Sequence, residues 1–267
     1  MTGEGETGEA DTPDGFRTAL ADLKRRGSSL LVVGAVPRES YLRASRKMLG
    51  AADADPPRRR LVVMPDADAT SGGARLEGTG PLDPRYARVV TCSGVVRGGT
   101  ATAPQSGDAS GATPPSPDGA DADPTASGKR RAGPRVRTVA CEPGEVGAAV
   151  TEVVDQFEAA AGGLAPAELR VGFDCLPTLL SAYDLQTAFA FLGVFGWQVR
   201  AAGGMGHVRL PRAYDDRTVR TLAPLFDAVI ELRVAGRRLE QRWHLRDEDV
   251  VSGWLPTVEE EGPRLDD

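Results

Sequence analysis

Short segments that are apolar at almost every position alternate along this chain with segments whose apolar residues recur at helical spacing. Residues 28–35, SSLLVVGA, are too uniformly apolar to have a solvated face, which is typical of a strand buried on both sides. Strands of this kind that alternate with helices predict an α/β fold, in which a parallel sheet carries helices on both faces. The predicted strands are residues 28–35, 59–66, 86–92, 136–142, 169–174 and 207–211, and the predicted helices are residues 16–26, 37–50, 146–157, 185–199 and 215–226.

The last part of the chain predicts a closing β-hairpin. Residues 227–247, DAVIELRVAGRRLEQRWHLRD, form two apolar-rich runs around a turn at Ala235-Gly236. Trp243 lies in this hairpin and Trp254 follows it. We interpret both tryptophans as cover for the edge of the sheet. A protein-docking surface is the alternative, because Trp and Arg dominate binding hot spots.

A low-complexity segment divides the chain. Residues 98–128 contain only Gly, Ala, Ser, Thr, Pro and Asp, apart from Gln105. This composition buries too little apolar surface to offset the entropy of ordering the segment. We expect a disordered insertion at residues 98–134 within a single domain of residues 13–258, because the part before the insertion has too few helices to cover its strands. The predicted acidic tails are residues 1–12 and residues 259–267.

The charge of the chain limits its partners. Its 32 basic and 38 acidic residues give a net charge of −6, which disfavours binding to nucleic acid. Neither a membrane-spanning segment nor a secretory signal is present, so we expect a cytoplasmic protein without a membrane partner. The basic cluster at residues 58–60 is expected to be solvated. Only three basic residues are lysines, which indicates a GC-rich genome. A halophilic source would explain the composition, and codon bias alone is the alternative.

Cysteine and histidine residues give no metal motif. Cys92, Cys141 and Cys175 lack the paired spacing of a disulfide framework or of a structural zinc site. His207 and His244 lie on different predicted strands, and neither has a Cys or Asp at ligand spacing. We therefore expect no bound metal.

Residues 34–41, GAVPRESY, stand where a phosphate-binding loop would connect a buried strand to a helix. The pattern GxxxxGK[ST] uses Gly for close backbone approach, Lys for the β- and γ-phosphates, and a hydroxyl group for magnesium. Gly34 is retained, but Glu39, Ser40 and Tyr41 occupy the positions of the second Gly, the Lys and the hydroxyl residue. Glu39 also brings a negative charge to the place of the phosphates. Residues 34–41 therefore stand where a phosphate-binding loop would stand, but they lack the residues that bind phosphates and magnesium.

Asp174 follows an apolar strand, as does the acid that binds magnesium in many nucleotide-hydrolysing proteins. Alternatively, its carboxylate accepts backbone N–H bonds from the turn through Cys175 and Leu176. We favour this structural role, because the window has lost the groups that hold phosphates. Asp66 ends the second predicted strand, where related ATPases carry a catalytic carboxylate, but its surroundings, PDADATSGG, favour a polar turn.

Two of these elements resemble RecA/KaiC-like ATPase domains. Asp174-Cys175-Leu176 resembles the Asp-Ser-Leu that follows a strand in that family, and DAVIEL at residues 227–232 resembles its last strand before a closing hairpin. Between them the family has a long helix, a strand and a helix. More closely, LKRRGSSLLVVGAVP, LAPAELRVGFD, MGH, LAPLFDAVIELR and RWHL are similar to an uncharacterised haloarchaeal family related to these ATPases. The resemblance covers residues 14–97 and 134–257 and implies a RecA/KaiC-like fold.

The resemblance and the altered window together favour a non-catalytic RecA/KaiC-like module. In it, Gly34 and Asp174 mark a vestigial nucleotide site without a cofactor, and the Lys-x-Arg that KaiC-like domains carry near the closing strands is missing. Such a module is expected to act by binding another protein, in signalling or regulation, or a second copy of itself. The alternative is an atypical ATPase in which Asp174 holds magnesium and Arg38 replaces the Lys, with ATP and magnesium as cofactors. A DNA-binding regulator is disfavoured, because the sequence has no helix-turn-helix or basic stripe.

Overall fold

The computed structural model describes residues 13–66, 72–94, 133–246 and 250–257 of the 267-residue chain. The predicted acidic tails lie outside these residues, as does the predicted insertion apart from its last two positions. Within the described ranges, no helix is both long enough and apolar enough to cross a membrane.

One ten-stranded sheet forms the centre of the described structure. Its strands are β1 (Ser28–Val33), β2 (Arg59–Pro65), β3 (Ala87–Ser93), β4 (Arg135–Ala140), β5 (Leu169–Phe173), β6 (Met205–Leu210), β7 (Ala228–Ala235), β8 (Arg238–Leu245), β9 (Val250–Val251) and β10 (Leu255–Pro256). The order in space is β10–β8–β7–β1–β6–β5–β2–β3–β4, and β9 also pairs with β8. The strands from β7 to β4 are parallel, whereas β8, β9 and β10 pair antiparallel.

Helices cover both faces of the sheet, as predicted. They are α1 (Pro13–Arg26), α2 (Arg38–Met48), α3 (Gly72–Leu76), α4 (Pro143–Ala161), α5 (Leu176–Ala182), α6 (Leu185–Ala201) and α7 (Arg217–Leu222), and a short 3-10 helix (Ala223–Leu225) follows α7. The strand β1 shows how alternation divides the core between the two faces. Leu31 and Val33 pack with residues of α4 to α7, whereas Leu30 and Val32 pack with residues of α1 and α2.

The predicted hairpin closes one side of the sheet, and Trp243 within it is buried. The strands β7 and β8 turn at Gly236, whose φ of +62° lies in the left-handed region. Trp243 is buried and meets Phe16 of α1 edge to face, with ring centroids 5.9 Å apart. The guanidinium carbons of Arg233 and Arg242 lie 3.8 and 4.6 Å from the ring centroid of Trp254. Trp243 therefore belongs to the core beneath α1, and the interpretation of the tryptophans as edge cover stays a prediction.

The prediction that the basic cluster at residues 58–60 is solvated was wrong for two of its members. Arg59 and Arg60 begin β2, which lies between β3 and β5, and both side chains are buried. Arg59 pairs with Glu168, with its Nε 2.8 Å from Oε1. Arg60 donates to the backbone oxygens of Leu49 and Ala51. The burial of these two arginines is therefore determined by the position of β2 within the sheet and not by the hydrophilic composition of the cluster.

Candidate functional site

Polar side chains collect at the carboxyl end of the parallel strands, on the face covered by α2 and α3. Because side chains alternate along a strand, Gly172 of β5 and Asp174, which follows β5, share this face with His207 and Arg209 of β6. The carboxyl edge of a parallel sheet is where ligands bind in open α/β folds. The polar cluster therefore lies at the position where function is expected.

Asp174 is held by two side chains that are distant in sequence. The hydroxyl of Tyr41 donates a 2.5 Å hydrogen bond to Oδ1, and the guanidinium of Arg75 lies 2.9 Å from Oδ2 and 3.1 Å from Oδ1. Only 7% of Asp174 and 2% of Arg75 is exposed. The hydrogen bonds to the carboxylate come from these side chains rather than from the predicted turn through Cys175 and Leu176.

Tyr41 stands in the window at the position where a phosphate-binding loop has Ser or Thr. Its ring is buried, and the guanidinium carbons of Arg75 and Arg209 lie 5.1 and 4.8 Å from the ring centroid. Burial, and secondly the charge of Asp174, raise the pKa of the Tyr41 hydroxyl far above its ordinary value. The hydroxyl is therefore a permanent donor to Asp174.

His207 extends the cluster toward the middle of β6. Its Nε2 lies 2.6 Å from the hydroxyl oxygen of Ser45, on α2. Burial, followed by the charges of Arg75 and Arg170, lowers the pKa of His207 to about 3. The imidazole is neutral at physiological pH. Its Nδ1 has no hydrogen-bond partner among the described residues.

Gly34, the other predicted site residue, does not join Asp174. The strand β6 separates β1 from β5, so the two backbones lie about 10 Å apart. The φ of Gly34 is +116°, and a Cβ at this position would overlap the backbone oxygen of Leu232. Its N–H donates to the backbone oxygen of Arg212 at 2.7 Å. Close approach of β7 to β1 therefore explains this glycine.

The remaining predicted residues are dispersed. Asp66 is exposed at the end of β2, and Arg38 begins α2. His244 stacks on Tyr214 with ring centroids 4.0 Å apart, and its Nε2 lies 3.4 Å from Glu231. Among the described residues, no group of three or more His, Cys, Asp or Glu side chains is arranged to hold a metal ion.

The structure brings the three cysteines together, which their sequence spacing does not predict. Cys92 lies in β3 near its carboxyl end, Cys141 follows β4 and Cys175 follows β5, so all three reach the same edge of the sheet. Hydrogen bonds with Cys175 and Cys92 lower the pKa of the Cys141 thiol, and the bond with Cys141 is the main cause that raises the pKa of the other two thiols. All three thiols are buried, and none forms a disulfide. Their apolar surroundings favour a structural role.

Protein side chains already contact both oxygen atoms of the Asp174 carboxylate. A magnesium-binding carboxylate must offer free oxygen atoms to the cation and to its waters. Here the guanidinium of Arg75 occupies the place of a cation beside the carboxylate, and Tyr41 fills the adjoining space. Sequence reasoning found Asp174 and the altered position Tyr41, but it missed Arg75. The five-residue helix α3 is too short for a periodic signal.

Comparison with known proteins gives a family but no activity. A family described as "Family of unknown function (DUF7504)" matches residues 27–232, which include β1 to β6 and most of β7. No curated protein matches the sequence significantly. The match covers the window, Arg75, Asp174 and His207.

Proposed function

The chain belongs to this family of unknown function, and we propose that it is a non-catalytic RecA/KaiC-like module that acts by binding another protein. The observation that carries the proposal is the buried contact of Tyr41 and Arg75 with Asp174. These side chains occupy the place that a nucleotide-bound magnesium ion would require. The site therefore has the position of a nucleotide site in the fold, but its carboxylate is occupied by protein side chains.

The order of elements supports a RecA/KaiC-like fold. The resemblance implies a strand that ends in Asp, a long helix, a strand, a helix, a last strand and a closing hairpin. Beyond Asp174, the chain continues through α6, β6 and α7 to β7 and β8 in this order. The short helix α5 is an addition between Asp174 and the long helix.

The loop between β1 and α2 lacks the means to hold a triphosphate. A phosphate-binding loop presents successive backbone N–H groups to the phosphates. Pro37 has no N–H group, and Glu39 adds a negative charge in the first turn of α2. Gly34 directs its N–H to Arg212. These features favour a protein without ATP or magnesium as cofactor.

The atypical ATPase would require Asp174 to leave its present partners. Magnesium at this carboxylate must displace Arg75, and removing one partner of a buried ion pair costs about 3–5 kcal/mol. Arg38 could replace the charge of the missing Lys but not the backbone cradle. No contact in the described residues favours this second function.

An uncharged surface on α6 is suited to a protein partner. Trp197 and Val194 are 66% and 65% exposed, and Phe189 is 38% exposed on the same helix. Beside them, an apolar groove of about 670 Å³ runs between α4 and α6, and no charged residue lines it. Exposed aromatic residues beside a groove between two helices are typical of sites that bind an amphipathic helix.

Calorimetric titration with ATP and magnesium tests the nucleotide part of the proposal. We expect no saturable heat at physiological ATP concentrations. A second titration with Asp174→Asn distinguishes background from a site, because magnesium-dependent binding through Asp174 would be lost in this variant. Micromolar affinity in the wild-type protein, lost in Asp174→Asn, would favour the ATPase instead.

The interaction part is tested by comparing what two surface variants capture. Val194→Asp places a charge on the α6 surface, and Val234→Asp places one on an exposed valine at the far end of β7. We expect proteins that co-purify with the wild-type chain to remain with Val234→Asp and to be lost with Val194→Asp. Equal capture by both variants would contradict the assignment of α6 as the binding surface.

A further inference from the structure

A second cavity lies on the same face of the sheet, away from Asp174. It has a volume of about 180 Å³ and opens between α1 and α2, above β1 and β6. His207 and Arg170 are among its lining residues, whereas Tyr41, Arg75 and Asp174 are not. An apolar cavity of about 150 Å³ holds a benzene molecule, so this space can admit a small organic compound.

Arg170 brings an unmatched charge to the cavity. Its side chain is only 6% exposed, and it donates to the backbone oxygen of Ala167 and to the sulfur of Met205. It forms no ion pair with any described carboxylate. Burial, together with the nearby charges of Arg58 and Arg60, lowers the pKa of Arg170 to about 10. Buried charges in proteins are normally paired, and an anion in the cavity would give Arg170 the charged partner that it lacks.

His207 also lines this cavity, and one of its polar atoms is unsatisfied. The side chain is 1% exposed, and its Nδ1 has no hydrogen-bond partner in the described part of the chain. Buried polar atoms are nearly always hydrogen-bonded in native structures. A ligand oxygen atom can supply the partner if the hydrogen of the neutral imidazole is on Nδ1 and Nε2 accepts from Ser45.

Two lysines stand at the mouth of the cavity. The chain has 32 basic residues but only three lysines, and Lys24 of α1 and Lys47 of α2 both line this cavity. Both are exposed, and neither forms an ion pair with a described residue. They add positive charge to the entrance and thereby favour an anion over a neutral compound.

The remaining walls are apolar. Leu20, Leu30, Met48 and Trp243 line the cavity beside the polar atoms. An inorganic anion would leave these walls in contact with water, whereas an apolar group attached to the anion would cover them. We propose that this cavity binds a small organic monocarboxylate with a compact apolar body, of about the size of benzoate.

Benzoate is the probe for this proposal. With about nine heavy atoms, it is expected to bind with a dissociation constant on the order of 0.1–1 mM by calorimetry. Benzamide, which has the same shape without the charge, should bind at least about tenfold more weakly. The chain has only two histidines, so the Cε1–H resonance of His207 reports binding and that of His244 serves as an internal reference.

Matched variants connect the binding to this cavity. Lys24→Ala/Lys47→Ala should weaken benzoate binding by roughly tenfold. Arg17→Ala/Arg46→Ala removes two exposed charges from the same helices without touching the lining, and it should leave binding unchanged. Leu20→Trp, at a half-buried lining position, should abolish binding by filling the cavity.

Several results would overturn the proposal. They are an absence of benzoate binding up to about 10 mM, equal affinity for benzamide, competition by inorganic phosphate as effective as that by benzoate, and an unchanged His207 resonance at saturation. Equal loss of affinity in the lysine and arginine double variants would also overturn it. The loss would then come from the overall surface charge and not from the two lysines that line the cavity.

Discussion

Asp174→Asn tests the buried ion pair that closes the site, because it removes a charge and keeps the shape of the side chain. In the wild-type protein one carboxylate accepts from Tyr41 at 2.5 Å and pairs with Arg75 at 2.9 Å. The Asn oxygen can still accept from Tyr41, but the nearly inaccessible guanidinium loses its carboxylate. Removing one partner of a buried pair costs about 3–5 kcal/mol. At about 2–4 °C per kcal/mol, the melting temperature should fall by roughly 6–20 °C.

Urea unfolding followed by circular dichroism measures this loss at neutral pH. Asp66→Asn is the matched control, because Asp66 is exposed at the carboxyl end of β2, which neighbours β5 in the sheet. The free energy of unfolding of this control should change by no more than about 0.5 kcal/mol. If Asp174→Asn were as stable as Asp66→Asn, the pair with Arg75 would not contribute to stability and our account of the site would be refuted.

A double variant separates the ion pair from other effects of the substitution. Arg75→Met/Asp174→Asn removes both charges and leaves an acceptor for Tyr41. Because an unpaired buried charge is the main cost of either single change, the double variant should be more stable than the sum of the two losses predicts, by about 1–3 kcal/mol. Additive losses would show that the two side chains are not energetically coupled.

Three further predictions concern the same region and use unfolding free energies as the measurement. Tyr41→Phe removes the donor to the Asp174 carboxylate and should cost about 1.5–3 kcal/mol, and a loss below about 0.5 kcal/mol would contradict the hydrogen bond. Gly34→Ala should lower the free energy of unfolding by about 2 kcal/mol or more, because the φ of Gly34 is positive and the new Cβ overlaps Leu232. Gly73 in α3 has open space around it, so Gly73→Ala should be neutral or stabilising. The pKa of His207 is lowered to about 3 in the folded state, so the unfolded state binds more protons below pH 6.5. The free energy of unfolding should therefore fall with decreasing pH by up to about 1.4 kcal/mol per pH unit. If a His207→Leu variant had the same pH dependence, other groups would be its cause.

Most of the fold could be predicted because its signals are local. The strand β1 is apolar throughout, and α6 carries a periodic apolar face, so each segment identifies itself without knowledge of its neighbours. The helices α3 and α5 were not predicted. With five and seven residues, they are too short to show a period. Burial of Arg59 and Arg60 was also missed, because it depends on the neighbours of β2 in the sheet.

The position of the candidate site could be predicted, but its contacts could not. The sequence places Asp174 at the end of one buried strand and an altered phosphate-binding window after another. Its partners Tyr41 and Arg75 lie 133 and 99 residues away, and nothing in the local pattern connects them to it. The prediction of backbone bonds from the following turn used only adjacent residues. Long-range side-chain pairs of this kind become visible only when the sheet order is known.

Two of the buried arginines on this face, Arg75 and Arg170, differ in one respect that relates the site to the proposed cavity. Arg170 and Asp174 flank Gly172 on one face of β5, with about 13 Å of strand between them. Arg75 has the carboxylate of Asp174, whereas Arg170 has none among the described residues. The ring of His207 fills the space above Gly172, since a Cβ there would lie 3.2 Å from it. The imidazole therefore lies between Arg75 and Arg170.

This separation makes the two proposals independently testable. If benzoate binds beside Arg170, Asp174→Asn should lower the stability of the protein without changing the dissociation constant of benzoate. Conversely, Lys24→Ala/Lys47→Ala should weaken benzoate binding with little effect on unfolding, because both lysines are exposed and unpaired among the described residues. An increase in benzoate affinity in Asp174→Asn would place the anion next to Arg75, because removing the carboxylate charge frees that guanidinium for an anion. The site at Asp174 would then be open to ligands, and the closed, non-catalytic site would have to be abandoned.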